Sequence, residues 1–375
     1  MIKRRFIVEI MIVISVISLI FIGICLYIIL CNSSDTKVEV DNEHHGNSSI
    51  IVGNNRNSNN KFIVDQNPSL YTYEDMENDI NNIKNVFPND AKVESLTDTI
   101  DGRKVYDIVL GDIASDKHIM IQGSIHAREY ITTQLVMKQL IEFLRKLNTQ
   151  EEFYNDRTAR ELISGCAIHI IPMVNPDGVS ISQLGVDGIK KDTTLEGIKK
   201  IALSDGKSID DKNYLIQWKA NAQGVDLNRN FDALWDKYEG PSNPSSDHYK
   251  GSSVGCTAET KALIELTCKY PFKRTISYHT MGRVIYWYFG QTGNLQDETE
   301  KFAKVFSKMT GYAVDKNYEN LDPAGYKDWA IIKMQIPSLT VEVGEGNNPV
   351  DSSQFEVIYQ ENEKAIGLML NDINP

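Results

Sequence analysis

The sequence predicts an α/β protein: a mixed, mostly parallel twisted sheet with helices on both faces, preceded by one transmembrane helix. Three observations predict it. From residue 71 onward, runs with strand-like spacing alternate with runs of helical spacing, the pattern of a sheet covered on two sides. Residues able to hold a metal ion fall just after strand-like runs, where open α/β sheets place their sites. Upstream, an uncharged apolar stretch over 10–30 is set apart from the rest by a polar segment.

The apolar stretch would span about 32 Å as a helix, enough to cross a bilayer. Lys3, Arg4 and Arg5 precede it, which orients 1–9 as a cytoplasmic tail and the remainder outside. The segment lacks the small-residue cleavage site of a secretory leader, so it reads as an uncleaved signal anchor, with a late cleavage near Ser33 as the alternative. Residues 31–67, rich in Asn, Ser, Asp and His, read as a flexible polar linker. The remaining 68–375 form one catalytic-sized domain. Within it the spacing predicts helices over 73–86, 130–147, 257–269, 297–310, 326–334 and 354–371. It predicts strands over 105–110, 118–124, 166–174, 275–279 and 338–343.

The 375 residues carry a net charge of −12, with 24% charged and 41% hydrophobic side chains. That composition supports a large core and offers no basic stripe for nucleic acid. Cys166, Cys256 and Cys268 are too few and too scattered for a disulfide framework; twelve residues of helix would hold the last two about 18 Å apart.

The chemistry begins at Gly-Ser-Ile-His-Ala-Arg-Glu-Tyr, where His126 and Glu129 lie three residues apart, and His279 follows 150 residues after Glu129. Two imidazoles and a carboxylate are the donor set of a catalytic zinc that keeps an open position. Alone, an H-x-x-E pair is weak evidence; its place between a strand-like and a helix-like run strengthens it. Asn175-Pro-Asp-Gly reads as a tight turn ending a strand. In Val-Asp-Leu-Asn-Arg-Asn-Phe, Asp226 is suited to accept the second N–H of a ligand imidazole, and Asn228 with Arg229 to hold a carboxylate, or the run is a turn with a surface ion pair. Glu342 stands alone in an apolar strand-like run, either as a buried base or as an outward-facing residue, with Glu345 its nearby competitor.

These runs, with Ser-Tyr-His and Thr-Val-Glu-Val, occur in the order found in the zinc metallocarboxypeptidases, of which carboxypeptidase A is the best known. From about Pro68 to the carboxyl terminus the chain resembles that family. The resemblance implies one Zn2+ per chain on His126, Glu129 and His279, with Glu342 as general base and Asp226 behind His126. It implies Asn228 and Arg229 as the grip on a terminal carboxylate and Arg128 as a subsite residue. Lys219 stands where the mammalian enzymes carry an arginine that polarises the scissile carbonyl. The family's mobile active-site tyrosine has no clean counterpart: the loop from Tyr318 to Tyr326 gives Asn320 by simple offset, with either tyrosine the alternative, and the resemblance implies Tyr326 and Lys327 as substrate-binding. Trp-Lys-Ala-Asn, Gly-Tyr-Lys-Asp-Trp and the long 179–215 stretch resemble the bacterial branch that cleaves γ-D-glutamyl bonds to a diamino acid. The expectation is thus a single-pass bacterial membrane peptidase with a monomeric, extracytoplasmic catalytic domain acting on peptidoglycan stem peptides, at the γ-D-glutamyl-meso-diaminopimelate bond. The alternatives are a carboxypeptidase trimming ordinary peptides and a catalytically silent wall-binding module.

Overall fold

The alternation of the sequence becomes one eight-stranded sheet in the computed structural model, which describes residues 61–319 and 321–375. In chain order its strands are β1 (Ala91–Asp98), β2 (Lys104–Gly111), β3 (His118–Gln122), β4 (Ala167–Ile171), β5 (Phe272–His279), β6 (Val284–Tyr286), β7 (Ala313–Val314) and β8 (Ser338–Glu342). They lie side by side as β1-β2-β4-β3-β5-β8-β6-β7. The central block β4-β3-β5-β8 is parallel throughout, while β2 and β6 join it antiparallel. The predicted mixed, mostly parallel sheet is thus present.

Both faces are covered because the central strands are apolar on both. In β3, Ile119 and Ile121 join one core cluster and Met120 another. The first cluster takes helices α1 (Tyr73–Val86), α2 (Ile131–Lys146), α7 (Asn294–Thr310), α9 (Phe355–Asn362) and α10 (Ala365–Ile373). The second takes α6 (Ala258–Lys269) and α8 (Tyr326–Ile332). Between β4 and β5 the chain folds α3 (Pro176–Leu184), α4 (Asp192–Ser204) and α5 (Lys212–Ile216) around Trp218, a small apolar cluster of their own. A buried Arg103 fastens this insertion to the β1–β2 turn. Its guanidinium lies 2.8 Å from Asp101 and 3.2 Å from Asp177, and it donates to Gly188 O.

Three expectations need correction. The folded body takes in residues 61–67, expected in the linker: Phe62 and Val64 are buried in the main core. Asp79 holds them there, accepting from Ile63 N at 2.7 Å, Val64 N at 2.9 Å and Tyr71 OH at 2.8 Å. The single final helix is two, interrupted at Glu363 and Lys364. Asn175-Pro-Asp-Gly is no free turn but the start of α3, with Asn175 capping Gly178 N and Pro176 in the first helical turn. The expected tail, membrane helix and residues 31–60 lie outside the described residues, among which no helix is long and apolar enough to cross a membrane. Cys166, Cys256 and Cys268 are free thiols.

Glu259, in the first turn of α6, is buried and accepts from Asn221 Nδ2. Burial, reinforced by the charge of Asp177, pushes its carboxyl from 4.5 up to about 7. Between those two values the folded chain holds a proton that the unfolded chain has lost, so this group's contribution to stability falls as pH rises through that window. We expect Glu259→Gln to stabilise the protein at pH 8 by roughly 2–3 kcal/mol, with the gain vanishing towards pH 4.5. Denaturant titrations at several pH values check this; a pH-independent difference would contradict it.

Candidate metal centre and active site

The parallel register brings the expected ligands together. After β3 the chain turns through Gly123, where a Cβ would sit 3.0 Å from both Pro172 O and Thr132 O, too close for most side chains. His126 follows, then a helical turn over Ala127–Glu129 that points the carboxylate back beside the imidazole. His279 closes β5, and Glu342, ending β8, is its direct register partner.

His126 Nδ1 lies 2.9 Å from Glu129 Oε1, His279 Nδ1 2.9 Å from Glu129 Oε2, and the two Nδ1 atoms 3.1 Å from one another. All three residues are buried. His126 Nε2 faces Asp226 Oδ1 at 3.2 Å, which places a proton on Nε2 and leaves Nδ1 a bare lone pair in the neutral ring. Lone pairs and a carboxylate turned towards one another repel unless a cation lies among them. Donors about 2.1 Å from a tetrahedral zinc sit about 3.4 Å apart, close to the spacing here. The residues present therefore fit zinc, with two nitrogens and a carboxylate oxygen and room for a further ligand from the cleft.

Around this centre the buried charges form a chain. Asp226 Oδ2 lies 3.1 Å from Lys219 Nζ, which also reaches Asp247 Oδ1 at 3.3 Å. Although burial opposes ionisation, Lys219 and His126 hold the Asp226 carboxyl well below its usual range. Asn175 ties the supporting loops together by donating to Ile125 O and Ala220 O, each one residue from a site residue. Gly178 leaves the space this requires, since a Cβ there would stand 2.5 Å from Ala220 O. Glu342 is half-buried, and its Oε2 is buried without a hydrogen-bond partner. Burial, with the charge of Glu129, pushes its carboxyl up to about 8, against the pull of His279 and Lys219.

A cleft of about 420 Å³ opens over these groups and is lined by nearly every residue the sequence singled out. Arg128 is there, donating to Gln217 O at 3.0 Å and lying 3.5 Å from Asp247. Asn228 accepts from Tyr326 N at 2.9 Å, and Arg229 donates to Asn228 O and pairs with Asp322. Lys327 also lines the cleft, but its ammonium is engaged by Asp328 and by Tyr288 O at 3.2 Å, so it is half of an ion pair rather than a lone cation.

Tyr326 is the exception and the expectation for it is corrected. Its ring is fully buried against Phe231 and Trp329, and its hydroxyl lies 3.1 Å from Thr267 Oγ1. As the first residue of α8 it turns inward, because a helix laid on a sheet buries one side from its first turn. Tyr318 instead packs edge-on against Trp287 and Tyr288. The cleft tyrosines are Tyr286 and Tyr288, which the sequence reading passed over along with Asp247, Asp315, Asp322 and Asn348. Position in or just after β6 was the signal for the tyrosines, in a strand of three residues.

We expect the protein to bind one zinc per chain, to lose it on His126→Ala or His279→Ala, and to hold it roughly 10–100-fold more weakly after Asp226→Asn. Metal analysis and competition against a chelating dye check this; unchanged affinity in the His279→Ala protein would contradict it.

Residues 76–365 match the family model described as zinc carboxypeptidase. The γ-D-glutamyl-L-diamino acid endopeptidase 1 of Lysinibacillus sphaericus is 33% identical over 303 residues, 80% of this chain and 71% of that one. Carboxypeptidase B of Astacus astacus is 24% identical over 233 residues, 61% of this chain and 67% of the other. Among solved structures, thrombin activatable fibrinolysis inhibitor superposes with a TM-score of 0.63 at 17% identity, covering 80% of this chain and 74% of its own. The carboxypeptidase A of Helicoverpa armigera gives 0.61 at 18% identity, covering 80% and 73%. The last two similarities extend the sheet and its covering helices to known folds. By sequence, fold and metal donors, this chain belongs to the zinc carboxypeptidase family of peptidases.

Proposed function

We propose that this zinc peptidase hydrolyses the amide bond between γ-D-glutamate and meso-diaminopimelate in peptidoglycan stem peptides. The observation that carries the catalytic part is the unpartnered, buried Oε2 of Glu342 beside the three converged donors. A carboxyl displaced towards neutral pH is suited to take a proton from an attacking water and return it to the leaving amine. Zinc, when bound, supplies a Lewis acid for the amide carbonyl and lowers the pKa of water. Lys219 is held in place by its ion pairs with Asp226 and Asp247, and its ammonium lines the cleft, where it is suited to an oxygen that gains charge. Arg128, Asn228 and Arg229 orient the substrate from the cleft wall.

Two observations support the substrate. The Lysinibacillus relative, 33% identical, is named a γ-D-glutamyl-L-diamino acid endopeptidase, and meso-diaminopimelate is one such diamino acid. The Lys327–Asp328 pair on the cleft wall offers a cation and an anion together. The side chain of meso-diaminopimelate ends in the complementary pair, a carboxylate and an ammonium, whereas lysine ends in an ammonium alone. The full chain is proposed to act outside a bacterial membrane, anchored through 10–30, as a monomeric catalytic domain.

Four outcomes are expected. Mass spectrometry of muropeptides incubated with the zinc-loaded protein should show L-Ala-D-Glu released from diaminopimelate; release of carboxyl-terminal residues from ordinary peptides alone would favour a plain carboxypeptidase. Glu342→Gln should keep its zinc and lose roughly 10²–10⁴-fold in kcat, with KM little changed, and near-normal kcat would remove Glu342 from the chemistry. Wild type should prefer the diaminopimelate tripeptide over its lysine counterpart, and Lys327→Ala should cut that preference by roughly tenfold. Amino-terminal sequencing of membrane-extracted protein should begin near Met1; a start near Ser33 would overturn the anchor.

A further inference from the structure

Arg229 is nearly buried on the cleft wall, and the structure gives its guanidinium one carboxylate, that of Asp322. Nη1 donates to Asn228 O at 2.8 Å, Nη2 donates to Asp322, and Nε is buried without a partner. The Tyr238 ring backs the group at 5.2 Å. Asp322 itself is 68% exposed, and both residues line the cleft that holds the metal donors. An exposed aspartate has thus placed its carboxylate on a buried cation that faces the substrate space.

The backbone beside Asp322 is firmly mounted. Pro323 fixes its own φ and restricts the backbone of Asp322 before it, and Ala324 exchanges hydrogen bonds with the 231–233 segment, donating to Ala233 O and accepting from Phe231 N. Asn228 Oδ1, one residue from Arg229, accepts from Tyr326 N at 2.9 Å. The anchor therefore stays while the Asp322 side chain, free to rotate in solvent, can leave.

We propose that Asp322 is a resident latch on Arg229, a carboxylate that a substrate's free carboxylate displaces. The inference rests on the reading of this cleft as a peptide-binding site. Physically the exchange is balanced: the buried guanidinium is never left uncompensated, because one carboxylate replaces another, and Asp322 regains full hydration as it leaves. A peptide with an amidated or extended end brings no replacement, so the latch stays closed and Arg229 adds nothing to its binding. Asp322 thereby sets how strongly the enzyme favours a free carboxylate over a continuing chain. Without it, the enzyme would discriminate more sharply for free ends.

The test compares full-length, zinc-loaded Glu342→Gln protein, which leaves peptides intact, with the Glu342→Gln/Asp322→Asn double variant. Calorimetry gives Kd for L-Ala-γ-D-Glu-meso-diaminopimelate and its carboxyl-terminal amide, and for N-acetyl-Ala-Ala and its amide. Removing an exposed ion-pair partner should tighten the free acids roughly two- to fivefold and leave the amides unchanged. In an Arg229→Gln background the same substitution should change neither. Equal effects on acids and amides, no effect on the acids, or weaker acid binding would each overturn the latch. If the stem peptides fail to bind while the N-acetyl-Ala-Ala pair shows the split, the latch stands and the stem-peptide reading falls.

Discussion

Glu129, nearly buried at the floor of the cleft, faces two imidazoles at once, 2.9 Å from each, and the arrangement of the surrounding chain follows from that contact. Two ring nitrogens and a carboxylate this close in a low-dielectric interior are a donor set that a divalent cation would bind strongly, their lone pairs and negative charge converging on it. To bring the three together, β3 and β5 must be adjacent and parallel, so that both end at one edge. The same parallel pairing, carried on to β8, sets Glu342 beside His279. Four neighbouring parallel strands need crossover helices, and these cover both faces of the sheet.

The polar groups behind the donors form an ordered sequence of alternating charge. His126 leans on Asp226, Asp226 on Lys219, and Lys219 on Asp247. Lys219 helps to keep Asp226 ionised in a place where burial alone would neutralise it, and Asp226 in turn faces the His126 ring. Glu342 sits outside that sequence. No cation touches it directly, so burial dominates and its carboxyl moves towards neutral pH. Two carboxylates in one cleft, Glu129 and Glu342, are thus driven in opposite directions, one held ionised as a metal donor and the other free to exchange a proton.

Much of this was legible in the residues. The 73–86 helix shows its amphipathic spacing, and the structure starts and stops it at those residues, adding a capping box between Thr72 and Asp75. His126, Glu129 and His279 were legible because short ligand spacing after a strand-like run has few other uses. Other features carried no local mark. Pro176 suits a turn and a first helical turn equally, and nothing nearby distinguishes them. Tyr326 follows a motif glycine, but its direction is set by packing on Phe231 and Trp329, far away in sequence. Phe62 and Val64 lie in a polar stretch and are recruited by Asp79, fifteen or more residues on. Asp247 and Asp322 come from loops without periodicity, where only the folded chain shows which charge they meet.

The central claim is that one cation gathers His126, Glu129 and His279 at the carboxyl edge of the parallel strands. Anomalous diffraction at the zinc edge from crystals of the zinc-loaded protein tests it most directly. The account predicts a single strong peak per chain bounded by His126 Nδ1, His279 Nδ1 and the Glu129 carboxylate. A peak elsewhere, or a zinc held through a different set of side chains while these three remain hydrogen-bonded to one another, would contradict it.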